Sequence, residues 1–284
     1  MTPNLRGSLY MVASMAGFAV EDAFLKAAAQ QVPVGEAILL MGLVGIAVFS
    51  AIALRAGEAP LPRAILSRTM AIRSGFEIAG RLFYALAIAL TPISVASAIL
   101  QASPLLVVLG AALIFGETVG LRRWVLILGG FAGVLVILRP GLEGFDALSL
   151  LTVLAMIGFS GRDLATRAAP PALSNAQLGV TGFVMLALSG AIILAVGGGA
   201  RLPDLHALAL IGGASVFGIS AYAALTQAMR TGEVSVVAPF RYTRLLFAML
   251  LGVAVFAERP DTMTLLGSAI IVACGLAILT QKRR

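Results

Sequence analysis

The sequence predicts an all-α integral membrane protein of ten transmembrane helices, built as two five-helix repeats of opposite orientation. Three observations predict it. Only 12% of the 284 residues are charged, 60% are hydrophobic, and mean hydropathy is +1.03. A soluble domain carries about 25% charged residues, so this chain cannot cover a water-facing surface. That excludes a soluble enzyme, a disordered protein and a disulfide scaffold. Second, the apolar residues fall in helix-length blocks: Ile93 to Gly116 and Ala172 to Ala200 hold no charge at all. A spanning helix takes about 20 such residues, against about 10 alternating ones for a barrel strand, so a β-barrel is excluded. Third, the chain repeats itself after 141 residues.

Charge, proline and glycine mark the ten spans in order. The first, 6–28, opens at Arg6 and holds Asp22 and Lys26 inside an apolar run. No A-x-A-like site follows a short apolar core, so it reads as a retained helix rather than a signal peptide. The second, 34–56, starts after Pro33 and closes at Arg55. The third, 69–90, bears Arg73, Glu77 and Arg81 at every fourth position. The fourth, 93–115, contains Pro104 and ends at Gly116 and Glu117, and the fifth, 121–138, stops at Arg139 and Pro140. The sixth and seventh, 147–169 and 174–197, are separated by Pro170 and Pro171. The eighth, 205–229, ends at Arg230. The ninth, 234–257, carries Pro239, Arg241 and Arg244, and the tenth, 262–280, precedes the basic Lys282–Arg284.

An even number of spans puts both termini on one side, and the basic residues choose the side. With cytoplasmic termini, the inner helix ends hold eleven basic residues: Arg6, Arg55, Arg63, Arg68, Arg122, Arg123, Arg167, Arg230, Lys282, Arg283 and Arg284. The outer ends hold four: Lys26, Arg139, Arg201 and Arg259. The net charge of +7 therefore reports topology. No solvated basic face with interleaved aromatics exists, so no nucleic-acid partner is expected. The one cysteine, Cys274, forms no internal disulfide.

The repeat is specific beyond its apolar matches. Met15, Gly17, Phe18 and Asp22 meet Met156, Gly158, Phe159 and Asp163, and Lys26-Ala27-Ala28 meets Arg167-Ala168-Ala169. Phe76 meets Phe217, Ser94-Val95 meets Ser235-Val236, and Phe115 and Glu117 meet Phe256 and Glu258. The halves are 1–140 and 141–284. Five helices per half is odd, so the second half enters the membrane upside down. Inverted repeats of this kind recur in secondary transporters, with substrate held near the midplane between them.

The run Phe83-Tyr84-Ala85-Leu86, through Pro104-Leu105-Leu106, to Phe115-Gly116-Glu117 resembles the drug/metabolite transporter (DMT) superfamily in its EamA-type branch. So does the second copy, from Ala221-Tyr222-Ala223-Ala224 to Phe256-Ala257-Glu258. The resemblance covers nearly the whole chain as two EamA-like units. It implies a multi-pass transporter of a bacterial inner membrane, within which exporters of aromatic amino acids and related metabolites are the nearest likeness. Members of that branch often carry proline where this ninth helix has Arg244, a departure that bears on the pocket chemistry.

Ionisable groups at helix centres are costly in lipid and mark functional sites by default. Glu77 and Arg81 fall near the midplane, as does Arg244. Arg244 needs an acid from elsewhere, for which Glu77 or a substrate carboxylate serves; a guanidinium reads carboxylates through a bidentate fork. The alternative is a self-neutralising i,i+4 ladder in the third helix, and a snorkelling Arg241 in the ninth. The expected substrate-binding set is Phe18, Phe76, Glu77, Arg81, Gln101, Phe159, Phe217, Tyr222, Tyr242 and Arg244. For each phenylalanine alone, ordinary helix packing is the competing reading. Pro104 is expected to kink the fourth helix and free the carbonyl of Leu100, with Pro239 acting similarly in the ninth. Asp22 with Lys26, and Asp163 with Arg167, are i,i+4 pairs near opposite membrane faces and are the expected gates.

His206 has no Cys or acid neighbours, so no metal site is expected, and no phosphate-binding G-x-x-x-x-G-K-[ST] motif or cofactor site is present. The expected function is export of small amphipathic metabolites by alternating access. A membrane enzyme, a lipid-binding structural protein, a channel, and an exporter of nucleosides or quaternary amines are the alternatives. An enzyme needs a nucleophile–base pair or metal cluster, and neither is visible. The expected partners are a small-molecule substrate and membrane lipid, with the chain a monomer or weak homodimer. The four embedded acids are Glu21, Asp22, Glu77 and Asp163. Three already have basic i+4 neighbours, which favours facilitated diffusion or weak proton coupling.

Overall fold

The computed structural model describes residues 1–90, 96, 99–139, 147–256 and 260–280. Ser94, Val95, Glu258, Arg259, Lys282–Arg284 and the start of the fourth span lie outside the described residues. Within them the chain is helical: α1 (Pro3–Ala28), α2 (Val34–Arg55), α3 (Arg68–Leu90), α4 (Ser103–Phe115), α5 (Leu121–Leu138) and α6 (Ser149–Arg167). There follow α7 (Asn175–Gly197), α8 (Leu205–Met229), α9 (Val234–Val237), α10 (Thr243–Phe256) and α11 (Thr262–Leu279). Seven of the described segments are long and apolar enough to cross a membrane. The ends are built from local chemistry. Thr2 caps α1, Asp204 caps α8, Asp261 caps α11, and Ser174 with Gln177 forms a capping box on α7.

Two of the expected continuous helices are interrupted. Pro104 does not kink a helix from within; it occupies the first turn of α4, after a turn at Gln101 and Ala102. A proline there sacrifices no helical bond, because first-turn N–H groups lack intrahelical partners. The ninth span is α9, a 3₁₀ turn at Ala238–Tyr242 containing Pro239, and then α10. Gln101 and Tyr242 sit at these two breaks, 141 residues apart.

The helices associate in antiparallel pairs that obey the repeat. Gly17 of α1 faces Ala221 and the Phe217 carbonyl of α8; 141 residues on, Gly158 of α6 faces Gly80 and the Phe76 carbonyl of α3. The α1–α8 and α6–α3 seams thus exchange under the internal two-fold. The α2–α7 and α5–α11 seams pair each half with the other. At the termini face, the Glu233 N–H donates to Asn4, and Trp124, Tyr10 and Leu279 pack on one cluster. Both ends of the described chain therefore share this face; the opposite one is called the far face below.

The α2–α7 seam depends on glycine. A Cβ on Gly42 would lie 2.6 Å from the Ala187 backbone, and one on Gly35 would lie 2.5 Å from the Leu194 nitrogen. Backbones approaching this closely replace the missing hydrophobic drive between lipid-bathed helices. The α5–α11 seam is similar: a Cβ on Gly267 would sit 2.5 Å from the Gly133 carbonyl, while Gly275 faces Phe240 instead. Gly42→Val should force α2 from α7 and destabilise by about 1–3 kcal/mol. Thermal unfolding in detergent measures it, with exposed Gly75→Ala as a variant that leaves the transition unmoved.

Candidate functional site

The i,i+4 stripe of α3 faces inward and is sealed. Glu77 is 0% exposed. Its carboxylate accepts from Arg81 of the next turn at 3.1 Å, from Arg162 of α6 at 3.2 Å and from the Tyr222 hydroxyl of α8 at 2.9 Å. Arg73 lies 3.6 Å away and is itself fully buried, donating to Thr166 at 2.9 Å, Thr181 at 3.2 Å and the Tyr222 hydroxyl. Arg162 also pairs with Asp163 at 2.8 Å, and Asp163 meets Arg241 of the 3₁₀ turn. Four arginines thus surround two carboxylates in the termini-side half. The sealing is completed by Met11, Met15, Val107, Val108, Leu225, Met229, Val236 and Val237, all buried in one cluster.

The far-side half is different. Asp22 of α1 pairs with Arg244 of α10, Nε to carboxylate 3.1 Å, yet the two side chains stay 53% and 39% exposed. The Arg244 guanidinium lies over the Phe18 ring at 5.4 Å. Tyr84 of α3 is within its electrostatic reach and meets Phe159 edge-to-face at 6.1 Å. A charged pair within a span is tolerable where the two neutralise each other or face the bundle interior. The arrangement is one partly exposed ion pair between α1 and α10 with Phe18 beside it and Tyr84 of α3 near.

Several sequence expectations need correction. Glu77 is not the acid that answers Arg244: Arg244 takes Asp22, and Glu77 is engaged by α3, α6 and α8. Nor do the i,i+4 gate pairs form as such. Asp22 turns to Arg244 and Asp163 to Arg162 and Arg241, leaving Lys26 exposed and Arg167 in the last turn of α6. A partner on another helix wins because α1 and α6 present these acids sideways into the bundle. Arg241 does not snorkel, since it ends on Asp163. Tyr242 is 2% exposed and packs with Val134 of α5 and Ile271 of α11, apart from the Asp22–Arg244 pair. Phe217 stacks on Phe24 at 5.9 Å and borders an apolar groove of about 310 Å³ between α1 and α8 with Gly17 and Ala221. Its mate Phe76 packs against Gly161. Gln101 lies at the break before α4, with its amide nitrogen buried and without a hydrogen-bond partner among the described residues.

The structure brings together Glu77, Arg81, Tyr222 and Phe159 in one layer, and Phe18, Asp22 and Arg244 in the next. It adds groups that pattern reading passed over. The Glu117 carboxylate accepts the first N–H groups of α9, Val234 at 2.9 Å and Ser235 at 3.0 Å, while Arg123 joins Glu233 and Ser235 at 3.1 and 2.8 Å. The repeated glutamate after the fourth helix was the signal for this cap. At the far face Arg139, in left-handed conformation at the end of α5 (φ 42°), grips Asp261 and holds its carboxyl down to about 2. No group of three or more metal-ligating side chains exists among the described residues.

The fold and these layers define a polytopic helical membrane protein of two five-helix units. The profile of the EamA-like transporter family matches residues 5–139 and 147–280, and the chain belongs to that family. It is similar to the riboflavin transporter of Rhizobium johnstonii, 31% identical over 69% of this chain and 65% of that one. It is also similar to the S-adenosylmethionine uptake transporter of Rickettsia bellii, at 27% over 71% and 68%. The pseudopaline exporter of Pseudomonas aeruginosa is 25% identical over 98% of this chain and 97% of its own. The matches span just under two thirds of the length of the riboflavin transporters, 65% and 63% in two of them. A crystal structure superimposes with TM-score 0.79 over 96% of this chain and 97% of that one at 22% identity, which shows the fold.

Glu77→Ala should destabilise by about 3–5 kcal/mol, because three guanidinium groups lose their shared carboxylate. Denaturation in detergent measures this, with Lys26→Ala near neutral for comparison. Depressed carboxyls stabilise above their ordinary value, so the Arg139–Asp261 tie holds from neutral pH down to about 3.8 and is lost as pH falls towards 2. Carboxyl NMR titration of Asp261, alone and in Arg139→Gln, should show the depression vanish with the arginine.

Proposed function

We propose that the chain is a secondary transporter that exports small amphipathic metabolites, amino acids and aromatic ones among them, by alternating access. One observation carries this reading: the Asp22–Arg244 pair is open at depth while the charge layer beneath it is sealed. A site open to one face and closed to the other is what an alternating-access carrier presents in one of its states. Family membership and relatives named for riboflavin, S-adenosylmethionine and pseudopaline support an organic metabolite as cargo. The exporter among them aligns over nearly the full chain, which supports the outward direction. The halves 1–140 and 141–284 are the two repeat units, in a bacterial inner membrane with both termini cytoplasmic.

In this reading Phe18, Tyr84, Phe159, Arg81 and Arg244 receive the substrate. Asp163 with Arg162 and Arg241 closes the termini side, and Asp22 with Arg244 closes the far side in the alternate state. Around the two layers stand five arginines (Arg73, Arg81, Arg162, Arg241, Arg244) and four acids (Glu21, Asp22, Glu77, Asp163), an excess that one substrate carboxylate balances.

Uptake of labelled L-phenylalanine, riboflavin and S-adenosylmethionine into proteoliposomes should saturate for at least one probe without product formation; failure of all three overturns the reading. Arg244→Gln should weaken L-phenylalanine transport at least tenfold more than that of phenethylamine, as loss of a charge-assisted bond of about 1.5–3 kcal/mol requires. Equal loss would make Arg244 structural. Impermeant labelling from outside should reach 198–204 and miss 57–66. On a Cys274→Ala background, Asp163→Asn should raise inner-side labelling of a cysteine at Tyr84 several-fold.

A further inference from the structure

The two equivalent seams carry opposite chemistry at one position. In the α3–α6 seam Arg162 faces Glu77, flanked by Arg73 and Arg81. Moving each residue by 141 gives the α8–α1 seam, where Glu21 stands in the place of Arg162 and Gly218 in the place of Glu77. Ala214 and Tyr222 stand where Arg73 and Arg81 would be. The contact itself is kept: a Cβ on Gly218 would lie 2.9 Å from the Glu21 carboxyl carbon. Glu21 therefore fills the slot that holds an ion pair in the other seam, and meets bare backbone.

Nothing else neutralises it. No hydrogen bond or ion pair reaches Glu21 among the described residues. The charged groups facing it are Asp22 on its own helix, Arg244 from α10 and Arg81 from α3. Both cations are already engaged, Arg244 by Asp22 and Arg81 by Glu77. From α8 comes Gly218, with no charged residue beside it. An ionised carboxylate wedged between two helices without a counter-ion, beside a second carboxylate, is strongly disfavoured. A neutral acid at the same place is not. Half-buried Glu21 lies next to exposed Asp22, so its carboxyl is within reach of the surface for a proton.

We propose that Glu21 is a proton-binding site and that a proton taken up and released there is coupled to substrate movement. The step is simple protonation: the carboxylate gains a proton from water to become the acid while the α1–α8 seam is closed, and returns it when the seam parts. The coupling, though not the proton binding, rests on the transporter reading above. Of the two modes expected from the sequence, facilitated diffusion or weak proton coupling, the proposal takes the second, since the one embedded acid without a basic i+4 neighbour is also the one left unpaired among the described residues.

Infrared difference spectra of the reconstituted full chain, wild type minus Glu21→Gln, test the site without any substrate. At neutral pH they should show a protonated-carboxyl stretch; a carboxylate stretch alone overturns the proposal. Proteoliposomes loaded with L-phenylalanine, riboflavin or S-adenosylmethionine then test the coupling. Wild type should respond to an imposed pH gradient several-fold. Glu21→Gln should keep downhill exchange and lose the response, and Glu21→Asp should retain it. A gradient response that survives in Glu21→Gln, or is absent in wild type that still exchanges, overturns the coupling. If no probe exchanges, the transporter reading fails, while the infrared result still decides whether Glu21 holds a proton.

Discussion

A fully buried carboxylate with three guanidinium neighbours sets the terms for this bundle. Removing any ion from water into a low-dielectric interior costs several kcal/mol, and the return comes only when geometry satisfies every donor and acceptor. Glu77 achieves this by accepting from Arg81, Arg162 and Tyr222 at once, which ties α3 to α6 and α8. Arg73 extends the tie through Thr166 and Thr181 to α7. Four helices are thereby locked by hydrogen bonds with fixed directions, where apolar contact alone would let them slide in lipid. Any motion has to occur outside this lock, where α1, α4 and the broken ninth span lie against it. These hold Asp22, Ser103 and the pair Arg241 and Arg244.

The broken ninth span matters because its two arginines answer to different layers. Arg241 lies in the 3₁₀ turn and ends on Asp163 of α6, within the locked layer. Arg244 opens α10 and ends on Asp22 of α1, within the far-side layer. A continuous α-helix would set the two about 300° apart around the axis, on neighbouring flanks. The intervening 3₁₀ geometry changes both rise and rotation, so the segment that joins the two layers is also the one most easily rewound. Glu117 and Arg123 anchor its first turn from the termini face, leaving the Ala238–Tyr242 stretch as the compliant part.

Much of this was legible in the residues. The ten spans, their repeat and the inward face of Arg73, Glu77 and Arg81 follow from hydropathy, the 141-residue register and 3.6-residue periodicity. What periodicity cannot supply is the choice of partner across helices. Asp22 has Lys26 at ideal i,i+4 spacing, yet it pairs with a residue 222 positions away. A local pair of that kind is worth only about 0.2–0.5 kcal/mol, so a guanidinium reaching the carboxylate through two N–H groups from another helix displaces it. Tyr242 shows the other limit. Its register beside Arg244 suggested a common cavity, but a 3₁₀ turn advances side chains by a different angle, and the ring lands against Gly130 between α5 and α11. Prolines mark where such breaks occur without saying how the chain resumes.

The internal two-fold explains both why the halves fit and why they are not interchangeable. Exchange of the α1–α8 and α6–α3 seams is exact enough to place Gly17 and Gly158 on equivalent carbonyls, Phe217 and Phe76. Charge breaks the symmetry. One seam concentrates Arg73, Glu77, Arg81 and Arg162, whereas its mate keeps Glu21 alone against Gly218. Were both seams ionically locked, the two inverted states would be nearly equivalent, but each would have to break a buried network to open. With neither locked, a lipid-bathed bundle of small residues would have no fixed body for the other helices to move against. On the proposed role of Glu21, one seam is held by its ion network and the other carries a charge that a proton neutralises, and the sequence differences behind this are the four mated positions Arg73/Ala214, Glu77/Gly218, Arg81/Tyr222 and Arg162/Glu21.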